Sequence, residues 1–322
     1  MSDFRFLENP LTKNWVILAP RRAKRPNAAL GREPVCPFCP GREGDEEELY
    51  RVPNSENSVN QSIRRSDKKE ADWLVRVVPN KYPFASIHEI IIHSPNHHKN
   101  FGDLSLGQTE LIFQTYRQRY NTHKDKGQVY IFHNHGGGGG ESLPHPHSQL
   151  TVVPKEVKMD MPRLYPYLSF GYTLKPFDLR SKKGGVEKEL MVENSRFYLF
   201  CPQTSQWPDE VWVSPKKRGL TFGEITDGQI TDLVAILLRL VKIMDLRHGH
   251  EFPFNFYIYP GKDWYLRLIP RVKMLGGFEI GTGIFVNTQD PNETIAFIKE
   301  HFENPDIEKI KREQQADYEK RV

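Results

Sequence analysis

Three cysteines in 322 residues are too few for a disulfide framework. Cys36 and Cys39 lie too close together to staple much, and Cys201 is left over. That scarcity points to a reducing compartment. A strong charge of one sign is also missing. The 45 Lys and Arg stand against 41 Asp and Glu, and a net charge of +4 is too mild to imply nucleic acid. The basic runs Arg21–Arg25 and Lys216–Arg218 read as solvated faces. No long hydrophobic run exists. The longest apolar stretch, around Leu233–Met244, is broken by Arg239 and Lys242 and falls far short of a membrane span. The opening residues, MSDFRFLENP, lack the basic segment and apolar core of a secretory signal. These absences lead to the expectation of a soluble cytoplasmic protein without a membrane or nucleic-acid partner.

What is present is a loop-rich globular composition, with 24 Pro, 23 Gly and 38% hydrophobic residues. The length suits one large domain or two of ordinary size. An internal repeat favours two. Residues 89–108 (EIIIHSPNHHKNFGDLSLGQ) and 210–229 (EVWVSPKKRGLTFGEITDGQ) align at Glu89 with Glu210, Phe101-Gly102 with Phe222-Gly223, and Gly107-Gln108 with Gly228-Gln229. Each copy reads as a strand, a loop and a helix opened by a Ser or Thr cap, Ser105 or Thr226. Ile230, Leu233, Val234, Leu237, Val241 and Met244 form a helical stripe in the second copy. The expectation is two duplicated halves, 1–170 and 175–322. Each runs strand, strand, helix, strand, strand, an α+β arrangement of antiparallel strands with helices on one side. Residues 43–72 read as a long surface loop, and Pro291–Val322 as one or two charged amphipathic helices.

The chemistry concentrates in Val129–Pro154, VYIFHNHGGGGGESLPHPHSQLTVVP. Five consecutive glycines lose much backbone entropy on ordering and suit no packed core, so a ligand approaching the backbone is the better explanation, with phosphate first. Read as a strand, the end of this stretch puts His145, His147 and Gln149 on one face, with Pro146 and Ser148 on the other. Pro146 has no N–H to donate, so it marks a strand start or an edge. His147 is the candidate nucleophile, because a neutral imidazole attacks phosphorus well near pH 7. Gln149 can donate to a phosphoryl oxygen without adding charge. Asn134 and the backbone N–H groups from Gly136 to Gly140 are further candidate donors, and Ser142 is placed to hold a second phosphate. His97-His98 and His-Pro-His occur in the first copy only, which assigns the chemistry to that half.

Cys36-Pro-Phe-Cys39 is a knuckle that fits zinc, though alone it is half a site. His97 or His98, together with His145, are the best further ligands. Two thiolates and two imidazoles make a closed, neutral, structural site with no open position for water.

The segments NPLTKNWVILAPRRAKRPN, CPFCPG, SPNH, FHNHG…ESLPHPHSQ and GGFEIGTG, in that order over Asn9 to Asn287, resemble the galactose-1-phosphate uridylyltransferase family of the histidine-triad superfamily. The resemblance implies duplicated histidine-triad-like halves whose antiparallel sheets form a half-barrel. It also implies a homodimer, and ping-pong transfer through a covalent nucleotidyl-histidine. Motif by motif, Cys36, Cys39, His97 and His145 match the structural zinc ligands. His147 matches the nucleophile and Gln149 the phosphate-contacting glutamine. Arg22 and Arg25 match basic residues that reach the nucleotide, in some members across the dimer. Asn80, Asn134 and Ser142 match substrate contacts, with Gly140 beside them, and Glu279 matches a carboxylate near the sugar hydroxyls. Two departures stand out. Asp263-Trp264-Tyr265 replaces a His-x-His pair, so no second metal is expected there. Ser148 stands where the best-known uridylyltransferases have Gly, as in the ADP-glucose phosphorylase branch. The favoured reading is UDP-glucose with galactose 1-phosphate, followed by ADP-glucose with phosphate. A histidine-triad hydrolase and a non-catalytic nucleotide- or RNA-binding module are the competing classes.

Overall fold

A computed structural model describes residues 4–25, 35–54, 71–164 and 190–319. Two compact units emerge: residues 1–133 with 141–161, and residues 134–140 with 162–322.

In the first unit, β1 (Arg5–Glu8) and β2 (Trp15–Leu18) form a two-stranded antiparallel hairpin. Five further strands make the sheet that carries the chemistry: β3 (Tyr50–Pro53), β4 (Trp73–Pro79), β5 (His88–Ile92), β6 (Gln128–His135) and β7 (His147–Val153). Their spatial order is β3-β4-β5-β7-β6, and every pairing is antiparallel. β7 lies between β5 and β6, so both its edges are paired, and all seven of its residues are buried. Its β-branched Thr-Val-Val end suits that pleated, closed environment. Helix α1 (Leu106–His123) packs on β4 and β7 and buries Ile112, Phe113 and Tyr116. Ser105 caps it by accepting from Gln108 N–H at 3.2 Å. On the sheet's other face, Phe38 packs with Trp73, Val78, Ile90 and Ile92. Each such fully buried apolar side chain contributes roughly 1.5–3 kcal/mol. This cluster fastens the cysteine loop onto the strands.

The second unit contains β8 (Leu190–Glu193), β9 (Phe197–Phe200), β10 (Val211–Pro215), β11 (Phe254–Ile258) and β12 (Leu266–Pro270) in the antiparallel order β11-β12-β10-β9-β8. Helix α2 (Asp227–His248) buries the stripe from Ile230 to Met244 that the periodicity predicts. A short α3 (Gly277–Thr282) follows, then α4 (Pro291–His301) and α5 (Ile307–Glu319). α4 packs on β8, and α5 on α2.

The two strand orders are the same, and in each the helix follows the third strand, as the repeat leads one to expect. The α+β antiparallel class therefore holds. The copies have diverged at matched positions. Glu89 binds Arg119 and His123, whereas its counterpart Glu210 binds Arg267, Trp212 and the Gln206 N–H. Gln108 spans to the Leu74 and His93 carbonyls, whereas Gln229 closes a capping box with Thr226.

The expected loop over 43–72 needs correction. Tyr50–Pro53 is a strand paired with β4, held by Arg51 between Glu48 and Asp72. Four residues among charges carry too little periodicity to announce it. Residues 55–70 of that stretch lie outside the described residues.

Candidate functional site

The cysteine loop, the segment after β5 and the segment before β7 meet in the first unit. One ligand atom from each of Cys36, Cys39, His97 and His145 falls in a group spanning at most 4.8 Å. His145 Nδ1 lies 3.6 Å from Cys36 Sγ and 3.7 Å from Cys39 Sγ, and His97 Nδ1 lies 3.3 Å from Cys39 Sγ. Zinc–sulfur and zinc–nitrogen bonds of about 2.3 and 2.05 Å at a tetrahedral angle put sulfur and nitrogen about 3.6 Å apart. The donors therefore stand at zinc spacing. His145 Nε2 donates to the Ser94 carbonyl at 2.8 Å, which leaves Nδ1 bare toward the thiols. That second hydrogen bond is the usual support of a metal-binding imidazole. Burial and the neighbouring Cys36 push the Cys39 thiol up to about 11, and burial holds His145 down at about 4. A cation among these groups would favour the thiolate and the neutral ring alike. His97, not His98, joins the group; the His98 ring stands edge-on to it at 4.8 Å.

β7 starts at His147, so Pro146 precedes the strand and needs no ladder bond. His145 thus lies on the approach rather than on the strand, a correction to the picture of three residues along one strand face. His147 Nδ1 donates to the His145 carbonyl at 2.8 Å, and this fixes the tautomer with Nε2 unprotonated. Burial lowers the His147 pKa. Phe38 stands edge-on to His147 at 5.3 Å and to His145 at 6.0 Å, bracing both rings.

His147 and Gln149 open onto a pocket of about 270 Å³, also lined by Arg25, Asn80, Ser142 and Tyr82. Arg22 sits alongside, donating to the Tyr82 carbonyl at 2.6 Å with its guanidinium over the Phe84 ring. Burial and Arg25 lower its pKa to about 10. Six of the predicted catalytic and substrate residues thus lie on or beside one pocket: His147, Gln149, Arg25, Asn80 and Ser142 line it and Arg22 sits alongside, with the metal ligand His145 two residues before His147.

Asn134, Gly140 and Glu279 belong to the second unit. Asn134 accepts from Asn255, its counterpart 121 residues on, at 2.8 Å, and Asn255 also donates to the Gly139 carbonyl. The glycine run has a packing reason that the sequence reading missed. A Cβ on Gly139 would stand 2.9 Å from the Phe254 carbonyl, and Gly136 (φ +69°) and Gly138 abut Pro253. Gly139 is buried, and the Gly139 and Gly140 N–H groups already donate to the Gly136 and Gly137 carbonyls. Only Gly137 and Gly140 face open space. Glu279 is held by Lys273 at 2.7 Å and accepts from the Gly276 N–H at 3.1 Å.

Two groups of residues escaped the sequence reading. His88 on β5 contacts Gln149 at 2.9 Å. Behind β7, Ser148 Oγ meets Tyr116 OH at 2.5 Å, His93 Nε2 at 2.8 Å and His133 Nδ1 at 3.3 Å. His133 Nδ1 also reaches the His147 carbonyl at 2.9 Å. Strand register was the signal for both: His88 pairs with Thr151 and Ile90 with Gln149, making His88 and Gln149 diagonal neighbours on one face.

Among the described residues, no helix is long and apolar enough to cross a membrane. Residues 3–152 match the family described as galactose-1-phosphate uridyl transferase, N-terminal domain. An ADP-glucose phosphorylase of Arabidopsis thaliana is 28% identical over 91% of this chain and 92% of its own. A galactose-1-phosphate uridylyltransferase of Haemophilus influenzae is 26% identical over 77% and 75%. A crystal structure of an ADP-glucose phosphorylase from Arabidopsis thaliana with bound ADP-glucose aligns with a TM-score of 0.68 at 26% identity, covering 93% of this chain and 99% of that one.

Proposed function

The chain belongs to the galactose-1-phosphate uridylyltransferase family of nucleotidyltransferases, and on that premise we propose that it moves a nucleoside monophosphate from a nucleoside-diphosphate hexose to an anionic acceptor by way of His147. The observation that carries this reading is one ring. His147 has Nδ1 tied to a backbone carbonyl and Nε2 bare, on a pocket shared with Gln149, Asn80, Ser142 and Arg25.

In the first step, Nε2 forms a bond to the α-phosphorus as the bond from that phosphorus to the bridging oxygen breaks. Hexose 1-phosphate leaves with the electron pair. In the second step, an acceptor oxygen attacks the same phosphorus and the N–P bond breaks, returning the neutral imidazole. The Gln149 amide and the Arg25 guanidinium supply donors for the phosphoryl oxygens, where charge develops. Ser142 adds a hydroxyl. Cys36, Cys39, His97 and His145 would hold a zinc ion, which supplies structure only: it ties the cysteine loop to the segment that presents His147. The four ligands leave no open position for substrate.

ADP-glucose as donor with inorganic phosphate as acceptor is the preferred pairing, because the similarity to an ADP-glucose phosphorylase combines 28% identity with 91% of the chain. UDP-glucose with galactose 1-phosphate is the second reading, supported by the family match and the Haemophilus relative. The test is product analysis after incubation with each nucleotide sugar and with phosphate, galactose 1-phosphate or neither. Formation of ADP from ADP-glucose and phosphate supports the first pairing. UDP-galactose formed from UDP-glucose and galactose 1-phosphate supports the second. Release of nucleoside monophosphate at the same rate without any acceptor overturns transfer in favour of hydrolysis.

A further inference from the structure

We propose that His88 is the positioning residue of this site, holding the Gln149 amide with its oxygen inward and its nitrogen toward the transferring phosphoryl group; this rests on the nucleotidyl-transfer reading above. Gln149 can present either end of its amide to a phosphate. The oxygen repels and the nitrogen donates, so something must decide between them.

The local hydrogen bonds make that decision. The Phe84 backbone N–H donates to His88 Nδ1 at 3.4 Å. A backbone N–H can only donate, so Nδ1 is the acceptor and Nε2 carries the proton of the neutral ring. Nε2–H then points at Gln149 Oε1, 2.9 Å away. Asn80 completes the arrangement. Its Oδ1 accepts from the Tyr82 N–H at 2.9 Å, which turns Nδ2 inward, 3.1 Å from His88 Nε2 and 3.5 Å from the same Gln149 oxygen. His88 Nε2 is therefore the close donor to Oε1, and the Asn80 amide nitrogen stands beside both atoms. Among the described residues, the Gln149 amide nitrogen has no protein partner, and Gln149 lines the pocket with His147.

The ring that does this is itself locked. His88 is 4% exposed and packs at a tilt against Phe84, 4.2 Å between centroids. The Arg22 guanidinium lies over the Phe84 ring in turn, 4.8 Å from its centroid. Burial first, with the nearby Arg22 and Arg25, lowers the His88 pKa to about 4, against the opposing pull of the Gln149 hydrogen bond and, more weakly, of Glu89 next in chain. His88 is thus a neutral donor with a single orientation, the property needed to pin a neutral amide.

A double-mutant cycle on adduct formation tests this. The single-turnover rate of nucleotidyl transfer to the protein from ADP-glucose and from UDP-glucose is measured for wild type, His88→Phe, Gln149→Ala and the double variant, with His88→Asn as a smaller replacement that keeps an amide donor. Loss of a transition-state donor costs about 100- to 1,000-fold, so Gln149→Ala is expected in that range. His88→Phe is expected to slow adduct formation about 10- to 100-fold, with nucleotide-sugar affinity changed less than about threefold. In the Gln149→Ala background the His88 change should add less than about twofold. His88→Asn should recover part of the rate. Equal losses from His88→Phe with and without Gln149, or a full-speed His88→Phe enzyme, overturn the assignment while leaving the transfer reading intact. If His88→Phe does not fold, His88→Asn in both backgrounds decides the same question. A wild-type protein that forms no adduct from either sugar overturns the transfer reading and this inference with it.

Discussion

Replacing Ser148 by Ala should weaken the fold without altering which nucleotide is used. Ser148 is the residue by which this motif departs from the best-known uridylyltransferases. Its side chain is nonetheless fully buried, turned to Tyr116, His93 and His133 on the side of β7 away from His147 and Gln149. Removing the hydroxyl strips up to three hydrogen bonds, each worth about 1 kcal/mol net. The neighbours do not all become orphans. Tyr116 OH keeps His93 Nε2 at 3.2 Å, and His133 keeps the His147 carbonyl at 2.9 Å. One oxygen leaves too small a void for a large cavity cost. The expected loss is therefore about 2 kcal/mol, toward the low end of buried polar truncations. For a chain of 322 residues that lowers the melting midpoint by about 3 °C. Thermal melts with urea unfolding measure the stability. Initial rates give kcat/KM for ADP-glucose against UDP-glucose, a ratio that should stay within about twofold of wild type. A tenfold swing in that ratio would refute the claim that Ser148 acts from behind the strand.

Three further expectations follow from the same geometry. Cys36→Ser should lower zinc affinity by at least about a hundredfold, more than the loss of a supporting hydrogen bond costs; metal analysis of purified protein showing unchanged zinc would contradict the Cys36, Cys39, His97, His145 site. His88 has a folded pKa near 4 against an ordinary 6.5. Between those values the unfolded chain binds a proton that the folded chain refuses, so this contribution is complete above pH 6.5 and is lost as the pH falls toward 4, about 3 kcal/mol in all. Urea unfolding of wild type and His88→Asn at pH 7 and pH 4.5 should show the variant losing less stability on acidification, and parallel losses would count against it. Arg267→Met strands Glu210, which is 1% exposed and loses its 2.8 Å partner, at an expected cost of 3–5 kcal/mol; a variant as stable as wild type in urea would contradict that burial.

Much of the site was legible because its signals are local. Cys-x-x-Cys and His-Pro-His-Ser-Gln announce ligand types at fixed spacing, and Pro146 marks where a strand can begin. The helical stripe from Ile230 to Met244 and the caps at Ser105 and Thr226 are equally local, which is why α1 and α2 appear where the periodicity puts them. The hidden parts depend on register and on distant backbone. Nothing in the chain says that His88 lies diagonal to Gln149 until β5 and β7 are paired. The burial of Gly139 depends on the Phe254 carbonyl, more than a hundred residues away. β3 escaped because its four residues, among them Arg51 paired to Glu48 and Asp72, look like loop.

Transfer by way of His147 requires a phosphorus–nitrogen bond at one ring. Mild-alkali mass spectrometry of the protein, taken within one turnover of mixing with ADP-glucose or UDP-glucose without acceptor, tests it directly. The expected result is a single nucleoside monophosphate on the peptide bearing His147, absent in His147→Ala and discharged on adding phosphate or galactose 1-phosphate. An adduct on another residue, or brisk turnover by His147→Ala, would contradict it.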